Sequence, residues 1–524
     1  MSAAPSEAVQ WRAVELSFSA RSAPDKPMAV RLAAAFRGPD GARYDVPGFW
    51  DGGTAWKVRF APPAPGRWTY RTSCEPPIEG LDGQEGALDA AAATGDNPLF
   101  RHGGFLRVSP NRRFLTYTDG TPFFWLGDTW WFCPSKLVPL DGSTSPDHPS
   151  MFKALIGTRR RQGFSVVQMA FLGFMKGAGR IDKPLAWGEK AIARWRQADA
   201  YIRYANDAGI LPVIGLAFHS GMDRGSLADW TATWRYTIAR LGALPVTWLI
   251  CGEYNQKNVA PRVKKVLALG RAIKAMDPYR RAMTVHAWYF AGEGRQAWGE
   301  PWYDFIMLQG GHRCYPASAT YKRAWNHTPA RPVLEAECNY EGIHGMDDAD
   351  VRWAAWRAVL AGSFGYTYGS HGLWYPTQIA SDTKFSNWGK PMPWWEALAR
   401  PGAGQMTHLR RCCESVDWWT LEPRPNAVAT KQKLPERQHI LAKARGDELF
   451  LVYFPKGVPP RLDAELRGLR PRVDYRASWL DPRTGQRREA PNCRAQAPGR
   501  SCLLPPRPDG EDWALIVQLL PSKP

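Results

Sequence analysis

Two short stretches, 252-GEYN-255 and 335-EAECNYE-341, place carboxylates at the ends of apolar runs that read as buried strands. A charged group there is costly unless it is paired, hydrogen-bonded or put to use. One chemistry that uses two such groups is hydrolysis of a glycosidic bond. A carboxylic acid protonates the leaving oxygen while a second carboxylate acts as nucleophile or base. Side chains alternate along a strand, so Glu335 and Glu337 are expected on one face, pointing into a barrel. Glu337 then lies nearer the open end, Glu335 a layer deeper, and Glu341 in the following loop. Glu253 and Glu337 become the candidate pair, set roughly 5 Å apart if the geometry is of the retaining kind. The competing reading, a glutamate held in a structural arginine network, weighs most on Glu335.

Other strand-end residues suit the same chemistry. Asp128 stands with Trp130 and Trp131, and Gln168, His219, Asn255, His286, Trp288, Gln309, His312, Tyr340, Glu341, Tyr368, His371 and Trp374 occupy matching positions. Groups that donate and accept, mixed with flat aromatic rings, fit a ligand made of hydroxyls on carbon rings. The histidines come from different runs and form no HxH or HExxH pair, so neither a metal nor another cofactor is expected. Each of these side chains could equally be a rim residue making local hydrogen bonds.

Eight strand-like runs would position these groups: 122–131, 164–171, 210–219, 246–255, 282–290, 304–312, 332–341 and 364–374. Helical patterns lie between several of them, at 189–209, 260–277 and 348–362. Pro261 suits a first helical turn, and an acidic start with Gly362 at the end bounds the last helix. Strands alternating with helices in this number predict a (β/α)8 barrel, whose functional groups sit at the carboxyl ends of its strands. Short β runs broken by Gly and Pro come before it (11–18, 28–36, 55–62 and 67–73), and 75–97 reads as a linker. Similar runs follow it (438–455, 471–489 and 513–519), with turns at 445–447 and 481–485. The expectation is a multidomain α/β chain. It has an N-terminal β-sandwich and linker over 1–95, a TIM barrel over 96–425 and a C-terminal β-sandwich over 426–524.

Composition agrees with several cores. The chain has 524 residues, 44% hydrophobic, with 26 Trp, so two to four domains are expected and disorder is not. Its formal charge of +19 is spread over short pairs and triplets such as 159-RRR-161 and 410-RR-411. No nucleic-acid module is visible, so no nucleic-acid partner is expected; an acidic glycan or simply a basic surface fits. No signal segment and no run of 18 apolar residues stands out. No membrane contact is expected, and the location is read as cytoplasmic, or exported if a leader was removed. Nine cysteines without a CxxC pair read as reduced thiols.

The segments 105-FLRVSPNRRFLTYTDGTPFFWLGDTWW-131, 332-PVLEAECNYEG-342, 364-FGYTYGSHGLW-374 and 394-WWEALARPGAGQMTHLR-410 resemble the apiosidase-like glycoside hydrolases, family 140 and its uncharacterised relatives. The resemblance covers about residues 100 to 425. The segment 47-PGFWDGGTAWKVRFAPPAPGRWTY-70 is similar to the β-sandwich often found ahead of that barrel. The segments 449-LFLVYFP-455 and 479-WLDPRTG-485 are similar to the small β domain that often follows it. The resemblance implies an acid/base carboxylate after strand four, falling on Glu253, and a glutamate nucleophile in strand seven, falling on Glu337. Two departures accompany it: characterised members carry an aspartate where Glu253 stands, and larger barrel clans of this geometry carry Asn where Gly252 stands. A longer acid arm moves the proton-donating oxygen by about one C–C bond, which suits a different sugar.

The expected function is a retaining, exo-acting glycosidase on a terminal furanose, apiose-like or pyranose sugar. Two alternatives stand beside it. A non-catalytic carbohydrate-binding barrel would show no hydrolysis. A polysaccharide lyase would release an unsaturated, ultraviolet-absorbing product.

Overall fold

The computed structural model describes residues 6–171, 188–288, 292–312, 318–379, 381, 384–460, 462–495 and 500–520. Its centre is an eight-stranded parallel sheet curled into a barrel. In chain order the strands are β1 (Trp125–Thr129), β2 (Val166–Met169), β3 (Leu211–Gly215), β4 (Thr247–Gly252), β5 (Met283–His286), β6 (Ile306–Leu308), β7 (Val333–Glu335) and β8 (Ser363–Tyr368). Neighbours pair in sequence, β8 pairs back onto β1, and the seam between β5 and β6 is bridged by the Asp304 N–H to the Met283 carbonyl (3.1 Å). Every predicted barrel run contributes a strand. The run 122–131 splits, because Pro122–Phe123 joins a small antiparallel sheet with Arg107–Val108 and Leu115–Thr116. The last two residues of the run 282–290 lie outside the described residues.

The three predicted helices form as Glu189–Asp207, Ala260–Met276 and Asp348–Leu360. The last opens on a capping box in which Asp347 accepts the Asp350 N–H and Asp350 accepts the Asp347 N–H, meeting two otherwise orphaned donors. Its residues from Asp350 to Leu360 are all buried. A helix buried all round needs partners on every side. It lies against β7 and β8 on one side and the C-terminal sheet on the other, where Trp356 stacks on Tyr453 (5.4 Å, 8°). Among the described residues no helix is long and apolar enough to cross a membrane.

Ahead of the barrel a five-stranded sheet faces a three-stranded one across a core that includes the stacked pair Phe36 and Phe60 (4.0 Å, 13°). Part of the expected linker belongs to this sandwich: Glu85–Ala91 is a strand pairing antiparallel with Gly66–Glu75 and parallel with Ser6–Val9. The alternation of Leu88 and Ala90, both buried, against exposed Asp89 explains it; the Gly- and Ala-rich composition concealed a short amphipathic strand. After the barrel, a six-stranded and a three-stranded antiparallel sheet form a second sandwich. Its hairpins turn at Arg445–Glu448 and Asp481–Gln486, as the sequence predicts.

Both sandwiches are anchored to the barrel by buried ion pairs. Arg59 of the N-terminal sandwich donates twice to Asp199 (2.9 and 2.8 Å), and Arg240 joins Asp199 to Asp51. On the other side Arg352 grips Asp512 through two bonds of 3.0 Å.

Candidate active site

The mouth of the barrel is set by the residues that follow β4 and β7. After Gly252 the chain turns sharply: Glu253 takes a left-handed φ of 47°, and its N–H donates to the His286 carbonyl (2.5 Å). Such a backbone is strained for a residue with a side chain and tends to mark functional positions. Gly252 is required by its neighbour, since a Cβ there would fall 2.2 Å from the Phe218 ring. An Asn before the acid, the pattern of larger clans, therefore has no room here.

Glu337 is buried and bracketed by two imidazoles. His286 Nε2 lies 3.4 Å from one of its oxygens and His312 Nε2 3.4 Å from the other. His312 Nδ1 accepts the Tyr340 N–H (3.2 Å), so its proton sits on Nε2, facing Glu337. Gln309 connects the two carboxylates. Its amide donates to Glu253 Oε1 (3.0 Å) and also helps hold Glu337 ionised. Glu253 Oε2 accepts a second amide proton from Gln256 (3.2 Å).

The two environments drive the carboxyls apart. Burial, reinforced by the charge of Glu337, pushes Glu253 up to about 7. Burial also opposes ionisation of Glu337, but the His312 N–H, both imidazoles and the Gln309 amide outweigh it and hold that group at about 2. Below about pH 7 the site thus holds a mostly protonated Glu253 beside an ionised Glu337, two carboxyls whose environments separate an acid from a base. Among the described residues no lysine or arginine forms an ion pair with either.

The sequence-predicted residues fall into three groups. Gln168, His286, Gln309, His312 and Tyr340 gather around Glu337. Gln168 donates to Thr129 (3.3 Å) and the Ala336 carbonyl (3.1 Å). The Gln168 and Gln309 side-chain oxygens are buried without hydrogen-bond partners, acceptors available to a hydroxylated ligand. The charge on Glu337 adds to burial in keeping Tyr340 a neutral phenol. Trp131 packs edge-on against His286 (5.3 Å), and Trp374 belongs to an aromatic wall with Phe385 (4.8 Å) and Trp388 (5.8 Å).

A second group supports the mouth from outside it. Asn255 clamps the backbone of Trp288 through bonds of 2.8 and 2.7 Å. His219 is half-buried with Nδ1 toward Ser220 (3.3 Å), while its neighbour Phe218 takes the position against Trp131 and His286. His371 donates its Nε2–H to the Gly389 carbonyl (3.1 Å).

A third group departs from the expected ligand role because buried charge demands internal partners. Asp128 accepts from Arg159 (2.6 Å), Trp130 (3.0 Å) and its neighbour's N–H, which commits Trp130 as well. Glu341 accepts from the Tyr368 hydroxyl (2.7 Å) and the Gly402 N–H (3.1 Å), which takes both Glu341 and Tyr368. Glu335 does not share the Glu337 environment. Strand β7 ends at Glu335, so strict alternation stops before Glu337. The Glu335 carboxyl receives the hydroxyl of Tyr321 from the helix Ser318–Trp325 that precedes β7 (2.7 Å) and the N–H groups of Gly310 and Glu337. Burial places it at about 7 despite those donors.

Sequence reasoning overlooked Phe218, Trp388 and His344, the last stacked on Trp388 at 5.6 Å and 17°. Phe218 adjoins a predicted histidine, and only its alternation with His219 hinted at it. Trp388 lies in a loop, where no periodic signal exists.

Comparison with known families agrees with this geometry. The model "Apiosidase-like, catalytic domain" matches residues 109–420, "Domain of unknown function (DUF5060)" matches 7–75, and "Putative collagen-binding domain of a collagenase" matches 423–518. No curated protein matches the chain. Among solved structures, a "putative glycoside hydrolase" from Bacteroides vulgatus is similar over 98% of this chain and 100% of its own, at 18% identity and TM-score 0.71. A structure described as glycoside hydrolase family 5 from the same organism covers 81% of this chain and 94% of its own, at 23% identity and TM-score 0.66. Those likenesses establish the fold. With the apiosidase-like catalytic match added to that fold, the molecule is a glycosidase of the TIM-barrel type. The chain belongs to the apiosidase-like family, whose model spans more than half of it.

Proposed function

We propose that the protein is a retaining, exo-acting glycosidase that removes a terminal sugar from a glycan or glycoside. The supporting observation is the pair of carboxyls at one mouth with opposite ionisation, Glu253 near 7 and Glu337 near 2. Glu337, ionised, attacks the anomeric carbon and forms a glycosyl ester. Glu253 gives its proton to the departing oxygen and then, as a carboxylate, takes one from the water that releases the sugar. The Gln309 amide lies between the two groups and steadies both. The acceptor oxygens of Gln168 and Gln309 suit sugar hydroxyls, and a furanoside or apiose-like ring fits the family, with a pyranoside as the alternative.

The test is hydrolysis of aryl furanosides and pyranosides in both anomers by wild type and Glu337→Ala, with and without azide. Release from one sugar, lost in the variant and restored by azide as a glycosyl azide of opposite configuration, is expected. An unimpaired Glu337→Ala would overturn the assignment. An unsaturated uronic product formed from an acidic polysaccharide, with the aryl glycosides left intact, would replace the glycosidase with a lyase.

A further inference from the structure

Outside the barrel, two cysteines of the C-terminal sandwich stand in an arrangement that no other pair of described thiols shares. Cys493 lies on the strand Arg487–Arg494 of the larger sheet, opposite Tyr475. Cys502 lies on the strand Ser501–Leu503 of the smaller sheet, opposite Leu466. Their strand neighbours Asn492, Arg494 and Leu503 are exposed, whereas Cys493 is 2% and Cys502 9% exposed, so both sulfurs turn into the sandwich. The two strands lie against each other, and both cysteines belong to one apolar cluster with Tyr475 and Leu466 in the space between the sheets. The segment 468–471 ties the ends of both strands together: the Arg500 carbonyl accepts from Gly468 (3.0 Å) and Leu469 (3.1 Å), and Ala495 pairs with Pro471.

We propose that Cys493 and Cys502 form a disulfide that ties the two sheets of the C-terminal sandwich. Inward-facing positions on two strands in contact put both thiols on the same side of the core, the arrangement from which a disulfide can close. The nearby Cys502 lowers the pKa of Cys493, which favours its thiolate. The oxidant is a low-molecular-weight disulfide such as oxidised glutathione. One protein thiolate displaces a glutathione thiolate to give a mixed disulfide, and the second protein sulfur displaces the other. One S–S bond is made, one is broken, and two glutathione thiols leave. The remaining described cysteines are buried singly, except Cys412 and Cys413, which are adjacent on one helix. A persistent cross-link of this kind belongs to an oxidising compartment.

The test is incubation of the folded full-length protein with oxidised glutathione. Alkylation and tryptic digestion without reductant follow. The expected product is the peptide 489-EAPNCR-494 joined to the peptide that begins at Ser501, with two of the nine thiols lost to alkylation. Cys502→Ser should abolish the linked peptide. Oxidised wild type should unfold several degrees above the reduced form, a difference that Cys502→Ser lacks. Absence of the linked peptide from oxidised wild type, or Cys493 joined to any other cysteine, overturns the proposal.

Discussion

Two sets of buried carboxylates in this molecule, at the domain junctions and at the barrel mouth, are treated oppositely. At the domain junctions each is matched by a guanidinium: Asp199 by Arg59 and Arg240, Asp512 by Arg352. At the barrel mouth Glu253 and Glu337 meet amides and imidazoles, and one is pushed up while the other is held down. Arginine pairing fixes a carboxylate in one state, which serves assembly. Neutral donors leave the protonation state adjustable, which serves proton transfer. The same side-chain type is thus structural or reactive according to the partner the fold supplies.

The contrast can be broken most sharply at Glu337. Glu337→Ala is expected to lower kcat by on the order of 10^4-fold or more, with no loss of thermal stability, measured by turnover and melting on one preparation. Glu253→Gln should cost ~10^2 to 10^4-fold with poor leaving groups and far less with a dinitrophenyl glycoside, which needs no proton. Wild-type kcat/KM should fall as pH rises through about 7, because Glu253 must carry its proton, and this limb should vanish in Glu253→Gln.

At the junction the order of effects reverses. Arg352→Met strands buried Asp512 and should destabilise the fold by about 3–5 kcal/mol in denaturant titration, while activity per folded molecule persists. Replacing Asp512 by Leu as well should recover most of that loss. The smallest effect belongs to His312→Ala. Without the imidazole N–H, Glu337 is harder to ionise, and the acidic limb of the pH profile should move upward by about one unit.

Much of this was legible in the chain. All eight barrel runs and three of the helices follow from hydrophobic period and length, because a parallel strand buried on both faces is apolar throughout. The positions of Glu253 and Glu337 just past β4 and β7 were legible for the same reason, since each follows an apolar run. What stayed hidden depends on contacts between distant residues. The burial of Asp128 by Arg159 is a choice of partner, and so is the capture of Glu341 by Tyr368. Neither leaves a periodic trace. The turn of Glu335 toward Tyr321 follows from the end of β7 at Glu335, two residues earlier than alternation assumes. The strand Glu85–Ala91 was lost to small residues that carry little pattern.

The helix Asp348–Leu360 has a consequence for how the chain can be divided. Its two ends of contact belong to different sequence families, the barrel on one side and the final sandwich on the other. A chain cut near residue 425 would uncover Trp356 and leave Arg352 without Asp512, a sticky apolar strip with a stranded charge in its midst. Recombination that shuffles these domains must therefore carry the matching sandwich along. The heritable module is the barrel together with its C-terminal companion.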